Sequence, residues 1–185
     1  MDLMVRRNML MRGGDSTDWK ALFMGMVDGT VSGDIVIESG ITAIRDYAFY
    51  RCNNITSVVI PDSVITVGVS AFYYCPELTE IVFPDSVTSI GGNALSYCSN
   101  IRHIVIGTGI LTMGNWALGS STGGANLEDI IIKAVTPPTI FTNTFGYTNN
   151  CPIYVPDASV ATYKAASNWS ALASRIFPLS DLNNT

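Results

Sequence analysis

Nearly the same seventeen residues occur twice in this chain, first from Ala48 and again 23 positions later from Ala71. The alanine recurs at Ala94 and Ala117, and the same step carries a cysteine column: Cys52, Cys75 and Cys98. A fixed period of roughly 20–50 residues is typical of solenoid proteins, whose structural units contact only their neighbours. Because one copy is too short to bury its own apolar face, the copies are expected to stack. The repeat therefore predicts a solenoid.

Short apolar segments rich in β-branched residues keep the same spacing and predict the strands. They lie at residues 35–37, 58–60, 81–83, 104–106, 130–132 and 153–155. Stacked in parallel, they predict a sheet of about six short strands, with short helical or irregular outer segments and helical caps at both ends. Each copy of "PDSV" begins with a proline, Pro61 or Pro84, which cannot continue a central strand and so marks the turn out of the sheet.

Small residues recur at fixed phases of the repeat. Gly68, Gly91 and Gly114 share one phase, which indicates either a positive φ or a close approach of two backbones. The repeated alanines are expected where adjacent coils touch and a larger side chain would not fit. Both patterns predict tight contact between successive coils.

The repeated unit, written ITSVVIPDSVITVGVSAFYYCPEL in its clearest copy, resembles the BspA-like leucine-rich repeats of bacterial surface proteins. The resemblance covers residues 33–156, and residues 153–179 resemble the C-terminal cap that often follows such repeats. The fourth copy departs from the pattern, because no cysteine follows Ala117 at the expected position. The resemblance implies a right-handed leucine-rich-repeat solenoid, an interaction role at a cell surface, and no catalytic residues.

The ends of a solenoid expose apolar edges and need caps. At the N-terminus we expect a disordered leader at residues 1–14 and a cap at 15–32, in which 16–25 form an amphipathic helix. The alternatives are an attachment or oligomerisation segment for the leader and a membrane-surface helix for 16–25.

At the C-terminus we expect a helical cap at residues 157–179, with Asp157 as its N-cap, followed by a loose tail at 180–185. The side chains at helix-like spacing that should face inward are Val160, Tyr163, Ala166, Trp169 and Leu172.

The composition limits the classes of partner that the chain is expected to bind. The net charge is −5 and only 14% of residues are charged, so the basic surface that nucleic-acid binding needs is missing and we expect no nucleic-acid partner. No apolar run approaches the roughly 18 residues of a membrane span, and no signal peptide is visible in the chain. A cell-surface or extracellular location is therefore an expectation from the resemblance alone.

The cysteine column and the single histidine are the candidate residues for a metal site, a disulfide or a catalytic site. Residues in one column are collinear, whereas zinc needs ligands arranged tetrahedrally, so we expect no metal and no cofactor. Buried thiols are the favoured interpretation, and disulfides between coils are the alternative. No catalytic motif accompanies His103, so we expect a surface histidine and no enzyme. A further group of aromatic residues is expected to pack at the alanine-to-cysteine corner, with saccharide stacking as the alternative: Tyr47, Tyr50, Tyr73, Tyr74 and Tyr97.

The open face of the predicted sheet is the candidate binding surface. Strand side chains alternate between faces, and we expect Ile55, Val58 and Ile60 to point inward. By phase, the outward column holds Val59, Val82, Val105, Ile131 and Tyr154. A second outward column holds Ser57, Glu80, His103 and Asp129, with Arg102 and Glu128 beside it. Exposed β-branched residues bordered by charges suit an interface, although a sheet-stabilising ladder without a partner is the alternative.

These features predict a non-enzymatic interaction module that binds a protein or carbohydrate through the open sheet face, with adhesion as one such role. The alternative is a structural or virion-associated spacer attached through residues 1–14.

Overall fold

The computed structural model describes residues 32–119, 126–148 and 150–184. The predicted leader and the predicted helix at 16–25 lie outside these residues, and of the predicted N-terminal cap only Ser32 lies within them. The described residues form successive coils, each of which contributes a short strand that pairs in parallel with the strand of the next coil. The predicted solenoid of short parallel strands is confirmed.

The longer strands line one side of the solenoid. They are β1 (Ser32–Val36), β3 (Asn54–Val59), β5 (Glu80–Phe83), β7 (His103–Ile106), β9 (Asp129–Ile132), β10 (Ile153–Val155) and β11 (Ile176–Pro178). Strands β1 and β3 form a two-stranded sheet, and the other five form a five-stranded sheet in the order β11-β10-β9-β7-β5. The six expected strands are present, but their hydrogen-bonded ladder is interrupted between β3 and β5, and β11 extends it by one strand.

A second sheet forms from two-residue strands in the outer segments. These strands are β2 (Ala43–Ile44), β4 (Thr66–Val67), β6 (Ser89–Ile90) and β8 (Thr112–Met113), and they pair in parallel in chain order. The residues after Pro61 and Pro84 form the predicted turns between the two sheets. A single coil thus runs from a long strand through a proline turn to a short strand, and then returns through the corner that holds the alanine and the cysteine.

The core lies between the two sheets. In β5, Ile81 and Phe83 are buried while Val82 is exposed, which is the alternation that the sequence predicts. In β3 the buried residues Ile55 and Val58 are three apart, as expected. The register of β1 against β3 shifts by one residue after Gly33, so that Thr56 is an extra residue and stays outside together with Ser57.

The recurring glycines and alanines allow successive coils to approach closely. A Cβ atom added to Gly91 would lie 2.5 Å from the backbone carbon of Gly68 in the preceding coil. None of the three glycines has a positive φ, so close approach is their role. Positive φ values occur two residues later instead, for example at Ser70 and Asn93. The repeated alanines Ala71, Ala94 and Ala117 are fully buried, as predicted.

The cysteines are buried free thiols, which confirms the favoured interpretation. Cys75 Sγ donates a hydrogen bond to Phe49 O at 3.2 Å, and Cys98 Sγ donates to Phe72 O at 3.1 Å. Burial raises the pKa of Cys52 to about 12, so this thiol stays protonated at neutral pH. Each of the two bonded thiols therefore ties its coil to the previous one.

The C-terminal region closes the core at the last coil. Helix α1 spans Val160–Ala165, and its Tyr163 donates a hydrogen bond from its hydroxyl to Ala134 O at 2.8 Å. Trp169 Nε1 donates to Pro138 O at 2.8 Å. Both side chains are buried, and they satisfy carbonyl groups that have no following coil to pair with. The other expected inward residues, Val160, Ala166 and Leu172, pack against the same core.

The structure differs from the predicted C-terminal helical cap and tail in three details. Helix α1 ends at Ala165 because Ala166 is extended, and Ser170–Arg175 form a 3-10 helix before strand β11. Asp157 does not cap a helix, since its Oδ1 accepts a hydrogen bond from Ser180 N at 3.1 Å. That bond accompanies a 3-10 helix at Leu179–Asn184, where a loose tail was expected. The predicted domain boundaries themselves stay predictions.

Candidate functional site

An apolar ridge runs along the open face of the long strands. Register pairing places Val82 beside Val105, and Val105 beside Ile131. Val82 is 49% exposed, and Val105 and Ile131 are partly exposed. Val59 is 55% exposed and lies on β3, across the interruption between the two sheets. We use the name ridge for these four residues, which were predicted to share this face.

Two further exposed residues extend the ridge and were missed from sequence. Val36 is the register partner of Val59, and Phe177 is the register partner of Tyr154. The repeat itself contained the signal, because Val36 lies 23 positions before Val59 and Phe177 lies 23 positions after Tyr154.

Tyr154 is on the predicted face but not at the surface, because it is only 7% exposed. Its ring lies 6.2 Å from the ring of Phe177, centroid to centroid, and the 3-10 helix at Leu179–Asn184 also contacts β10. The C-terminal segment therefore covers this position. The prediction that Tyr154 belongs to an exposed binding column was wrong for that reason.

A polar column runs beside the ridge. Glu80, His103 and Asp129 are register partners on β5, β7 and β9. His103 Nδ1 lies 2.9 Å from Asp129 Oδ2, as expected for residues of one predicted column. On the other side of the interruption, Ser57 Oγ donates to Asp34 Oδ1 at 2.7 Å. Asp34 was missed from sequence, although it lies 23 positions before Ser57.

Charges at the edge of the polar column are paired. Arg102 donates hydrogen bonds through Nε and Nη2 to Glu128 Oε1, and His103 Nε2 lies 3.6 Å from Glu128 Oε2. The hydrogen bond from Arg102 lowers the pKa of Glu128, so this carboxylate is ionised at neutral pH. The pairing fixes a histidine between two carboxylates and leaves the guanidinium at the rim.

One atom of this cluster lacks a partner. Asp129 Oδ1 is buried and accepts no hydrogen bond from any residue in the described part of the chain. A buried carboxylate oxygen without a donor is costly unless water or a ligand supplies one. The polar column therefore has an unused acceptor next to the apolar ridge.

The cluster lacks the arrangement of a hydrolytic site. The His103 ring contacts Asp129 and Glu128, and within the described residues no serine or cysteine is hydrogen-bonded to it. Nor do the described residues contain a group of three or more His, Cys, Asp or Glu suited to a metal ion. Within the same part of the chain, no helix has the length and apolar character needed to cross a membrane.

The corner residues form a separate aromatic surface. The rings of Tyr50 and Tyr73 stack at 5.0 Å with 10° between their planes, and Tyr73 and Tyr97 lie 5.0 Å apart at 55°. The expected packing of these tyrosines against one another is therefore observed, while Tyr47 and Tyr74 are exposed. Arg51 lies over the rings of Tyr50 and Tyr74.

Comparison with known families and structures agrees with this fold. A family model described as the BspA type leucine rich repeat region matches residues 30–152 in six copies. Among solved structures, the pneumococcal vaccine antigen PcpA aligns over 78% of this chain and 39% of its own, with a TM-score of 0.53 and 15% identity. At this identity the likeness shows the fold alone.

Two more solved structures align less closely. A leucine rich cell surface protein from Faecalibacterium prausnitzii aligns over 87% of this chain and 64% of its own, with a TM-score of 0.45 and 18% identity. A leucine-rich repeat protein from Bacteroides ovatus aligns over 70% of this chain and 56% of its own, with a TM-score of 0.30 and 17% identity. The chain thus spans less than two thirds of each of these proteins. A comparison with curated proteins finds no match.

Proposed function

Since the chain belongs to the BspA-type leucine-rich-repeat family, we propose that it is a non-enzymatic interaction module that binds a protein through the open face of its long strands. The observation that carries the proposal is the ridge, in which Val59 and Val82 are about half exposed and Val105 and Ile131 partly exposed, beside a polar column. Repeat proteins commonly use such an extended surface for recognition.

The ridge supplies the apolar part of an interface. Burial of apolar surface contributes roughly 25 cal/mol per Å² removed from water. Val82, Val105 and Ile131 are β-branched and have few side-chain rotamers, so little entropy is lost when a partner covers them. The backbones of Val105 and Ile131 are held by strand pairing on both sides and that of Val82 on one side, which makes the surface rigid before binding.

The polar column supplies selectivity. Unpaired buried polar groups weaken a wrong complex strongly, so hydrogen-bonding groups discriminate between partners better than apolar contact does. Glu80 lies in this column and is exposed, so its carboxylate can accept a donor from the partner. Arg102, Glu128 and His103 lie at the rim, where charge steers association and sets its salt dependence.

A location at a cell surface is part of the same proposal. The Faecalibacterium protein is described as a cell surface protein and PcpA as a vaccine antigen.

The decisive variant carries Val82→Glu together with Val105→Glu. Both side chains point away from the core, so the fold should persist, and circular dichroism with a melting curve checks this. The matched control is Ile65→Glu with Leu111→Glu, which adds the same charge at exposed apolar residues away from the long strands. Placing unpaired carboxylates in a closed interface costs about 3 kcal/mol or more, which corresponds to at least roughly a hundredfold loss of affinity.

The assay immobilises the wild-type chain, the ridge variant and the control, and compares by quantitative mass spectrometry which surface proteins each retains. We expect a protein that wild type and control retain and the ridge variant loses, and its dissociation constant should rise accordingly. A folded ridge variant that retains the same proteins as wild type contradicts the proposal. If Tyr73→Ala with Tyr97→Ala abolishes protein retention instead, the protein site is at the corner.

A further inference from the structure

One outward column at the corner changes from large to small side chains along the solenoid. The equivalent positions, defined by the hydrogen bonds between coils, hold Tyr50, Tyr73, Ser96, Gly119 and Gly146. The first two rings stack on each other. Ser96 supplies no ring at the next position, and the Tyr97 ring, 5.0 Å from Tyr73, is tilted by 55° instead of stacking, so a gap remains on the surface.

The gap is a cavity of about 200 Å³ lined by Tyr73, Asn93, Ser96, Tyr97 and Trp116. Ser96 is almost fully buried beneath it. Pockets for drug-sized ligands measure roughly 300–1,000 Å³, so this one suits a single ring rather than a whole chain. No lining side chain carries a charge, which favours a neutral ligand over an anion or a cation.

Trp116 forms the far wall and is held in place. Its ring stacks on Tyr147 at 5.5 Å with 21° between the planes. A Cβ added to Gly146 would lie 2.2 Å from the Trp116 ring, so the glycine makes room for the indole. Trp116 and Tyr73 both line the cavity, and the indole is therefore a fixed aromatic surface within it.

The fold does not require an aromatic residue at the Trp116 position. Equivalent residues in earlier coils are Tyr47, Ser70 and Asn93, and all of them share a positive φ with Trp116. Asn tolerates this conformation better than a bulky residue does. An indole at φ 59° is thus locally less favourable than asparagine would be.

The cavity also offers polar groups to a ring that carries hydroxyls. The Asn93 amide nitrogen has no acceptor among the described residues, while Asn93 Oδ1 lies 3.4 Å from Ser96 Oγ. Ser96 Oγ lies 3.2 Å from Trp116 O, so the hydroxyl proton is used and its oxygen remains an acceptor. Aromatic faces with neighbouring amide and hydroxyl groups suit a pyranose, whose ring C–H groups pack on aromatic faces and whose hydroxyls need hydrogen bonds.

We propose that this corner cavity binds one sugar ring of a neutral saccharide between Tyr73, Tyr97 and Trp116. The site is separate from the ridge, and the two ligands differ in class. The ligand ring takes the place of the tyrosine that the column lacks at Ser96. Asn93 orients the ring through its amide group.

Two variants test the site with residues that the fold already uses. Ser96→Tyr restores the column and fills the cavity, since Tyr50 and Tyr73 occupy equivalent positions. Trp116→Asn removes the wall and places at this position the residue that Asn93 provides one coil earlier. Thermal melting should show both variants folded. The full chain is mixed at millimolar concentration with lactose, maltotriose, cellotriose or triacetylchitotriose, and saturation-transfer NMR detects ring protons in contact with the protein.

We expect at least one of these saccharides to give transfer signals with the wild type. The signals should disappear in both corner variants and persist in the Val82→Glu, Val105→Glu variant, so that failure here is distinct from failure of the protein-binding proposal. The proposal is overturned if none of the four saccharides gives a signal, or if the signals survive Ser96→Tyr. It is also overturned if N-acetyltyrosinamide binds in a Ser96-dependent way while the saccharides do not, because the cavity then takes an aromatic side chain of a peptide.

Discussion

Substitution of two adjacent residues, Ile81→Ala and Val82→Thr, tests the assignment of strand faces on which the ridge depends. Ile81 is 1% exposed and pairs in register with the fully buried Ile104. Ile→Ala removes three carbon atoms, which at about 0.8 kcal/mol per buried methylene contributes about 2.4 kcal/mol. Pairing of β5 with β7 holds this coil on one side, and pairing of β6 with β4 and β8 holds its outer segment, so the site collapses little and a cavity term adds to the loss. The free energy of unfolding should fall by about 2–5 kcal/mol.

Val82→Thr replaces one methyl group by a hydroxyl on a side chain that is half exposed. The hydroxyl stays in water, so no desolvation penalty arises, and threonine keeps the β-branched shape that suits a strand. Surface changes of this kind alter the free energy of unfolding by about 0.5 kcal/mol or less. The two neighbours should therefore differ by about 1.5 kcal/mol or more.

The assay is urea unfolding followed by circular dichroism, with the midpoint and the slope m fitted for both variants and the wild type. An unchanged m shows that the variants unfold through the same transition, and the shift in midpoint then gives the loss. Equal losses at Ile81 and Val82, or a larger loss at Val82, would refute the assigned faces. The ridge would then not be an exposed surface, and the proposed protein-binding site would fail with it.

Two more predictions concern contacts between coils. Iodoacetamide should label no cysteine in the native chain and all four cysteines in denaturant without reductant, as counted by mass spectrometry. The reason is that burial protects the thiols and raises the pKa of Cys52. Two or fewer labels in denaturant would mean that disulfides are present. Gly91→Ala should lower the free energy of unfolding by about 1–3 kcal/mol in urea unfolding, because the new Cβ meets the backbone of Gly68, which cannot rotate away. Gly92→Ala, whose nearest contact is 3.0 Å from Asn115 O, should cost less, and the reverse order would contradict this account.

The period alone was enough to predict the stacking, the strands and the buried cysteines. A residue such as Cys75 recurs in phase only when each coil places it in the same environment, so its repetition reports burial. The repeat also predicted that His103 and Asp129 share a column, because both precede an apolar strand segment by the same offset. This holds although these two segments are 26 residues apart instead of 23.

The features that were not predicted from the sequence lie where a copy departs from the 23-residue repeat. "TFGYT" at residues 144–148 is a fifth copy of the alanine-to-cysteine motif, in which Thr144 and Thr148 replace the two small apolar residues. Both threonines are buried, and their hydroxyls donate to Gly114 O and Phe145 O, so a polar residue serves where an apolar one was expected. Composition alone does not show that such a hydroxyl will find an acceptor.

Strand β11 was missed because two periodicities overlap in the C-terminal region. Ile176 lies 23 positions after Ile153, which is the strand signal. The helix-like spacing that includes Tyr163 and Trp169 dominates the same stretch, and both residues are indeed buried. The spacing predicted correctly which side chains face the core. It did not predict that the helix ends at Ala165 and that a 3-10 helix begins at Ser170. Strand β11 then places Phe177 over Tyr154 and closes that end of the ridge.

A residue type that is the same in every copy of the repeat indicates a requirement of the fold. A residue type that differs between copies at one backbone position is not required by the fold. Tyr73 and Ser96 have the same place in successive coils, so neither is dictated by backbone geometry. The same holds for Asn93 and Trp116, which share a positive φ with Tyr47 and Ser70 at the equivalent positions. These changes fall together at one corner and produce one cavity, whereas the ridge keeps β-branched residues in every coil from Val36 to Ile131. The ridge is therefore suited to an extended partner that contacts many coils, and the corner to a small ligand that contacts two.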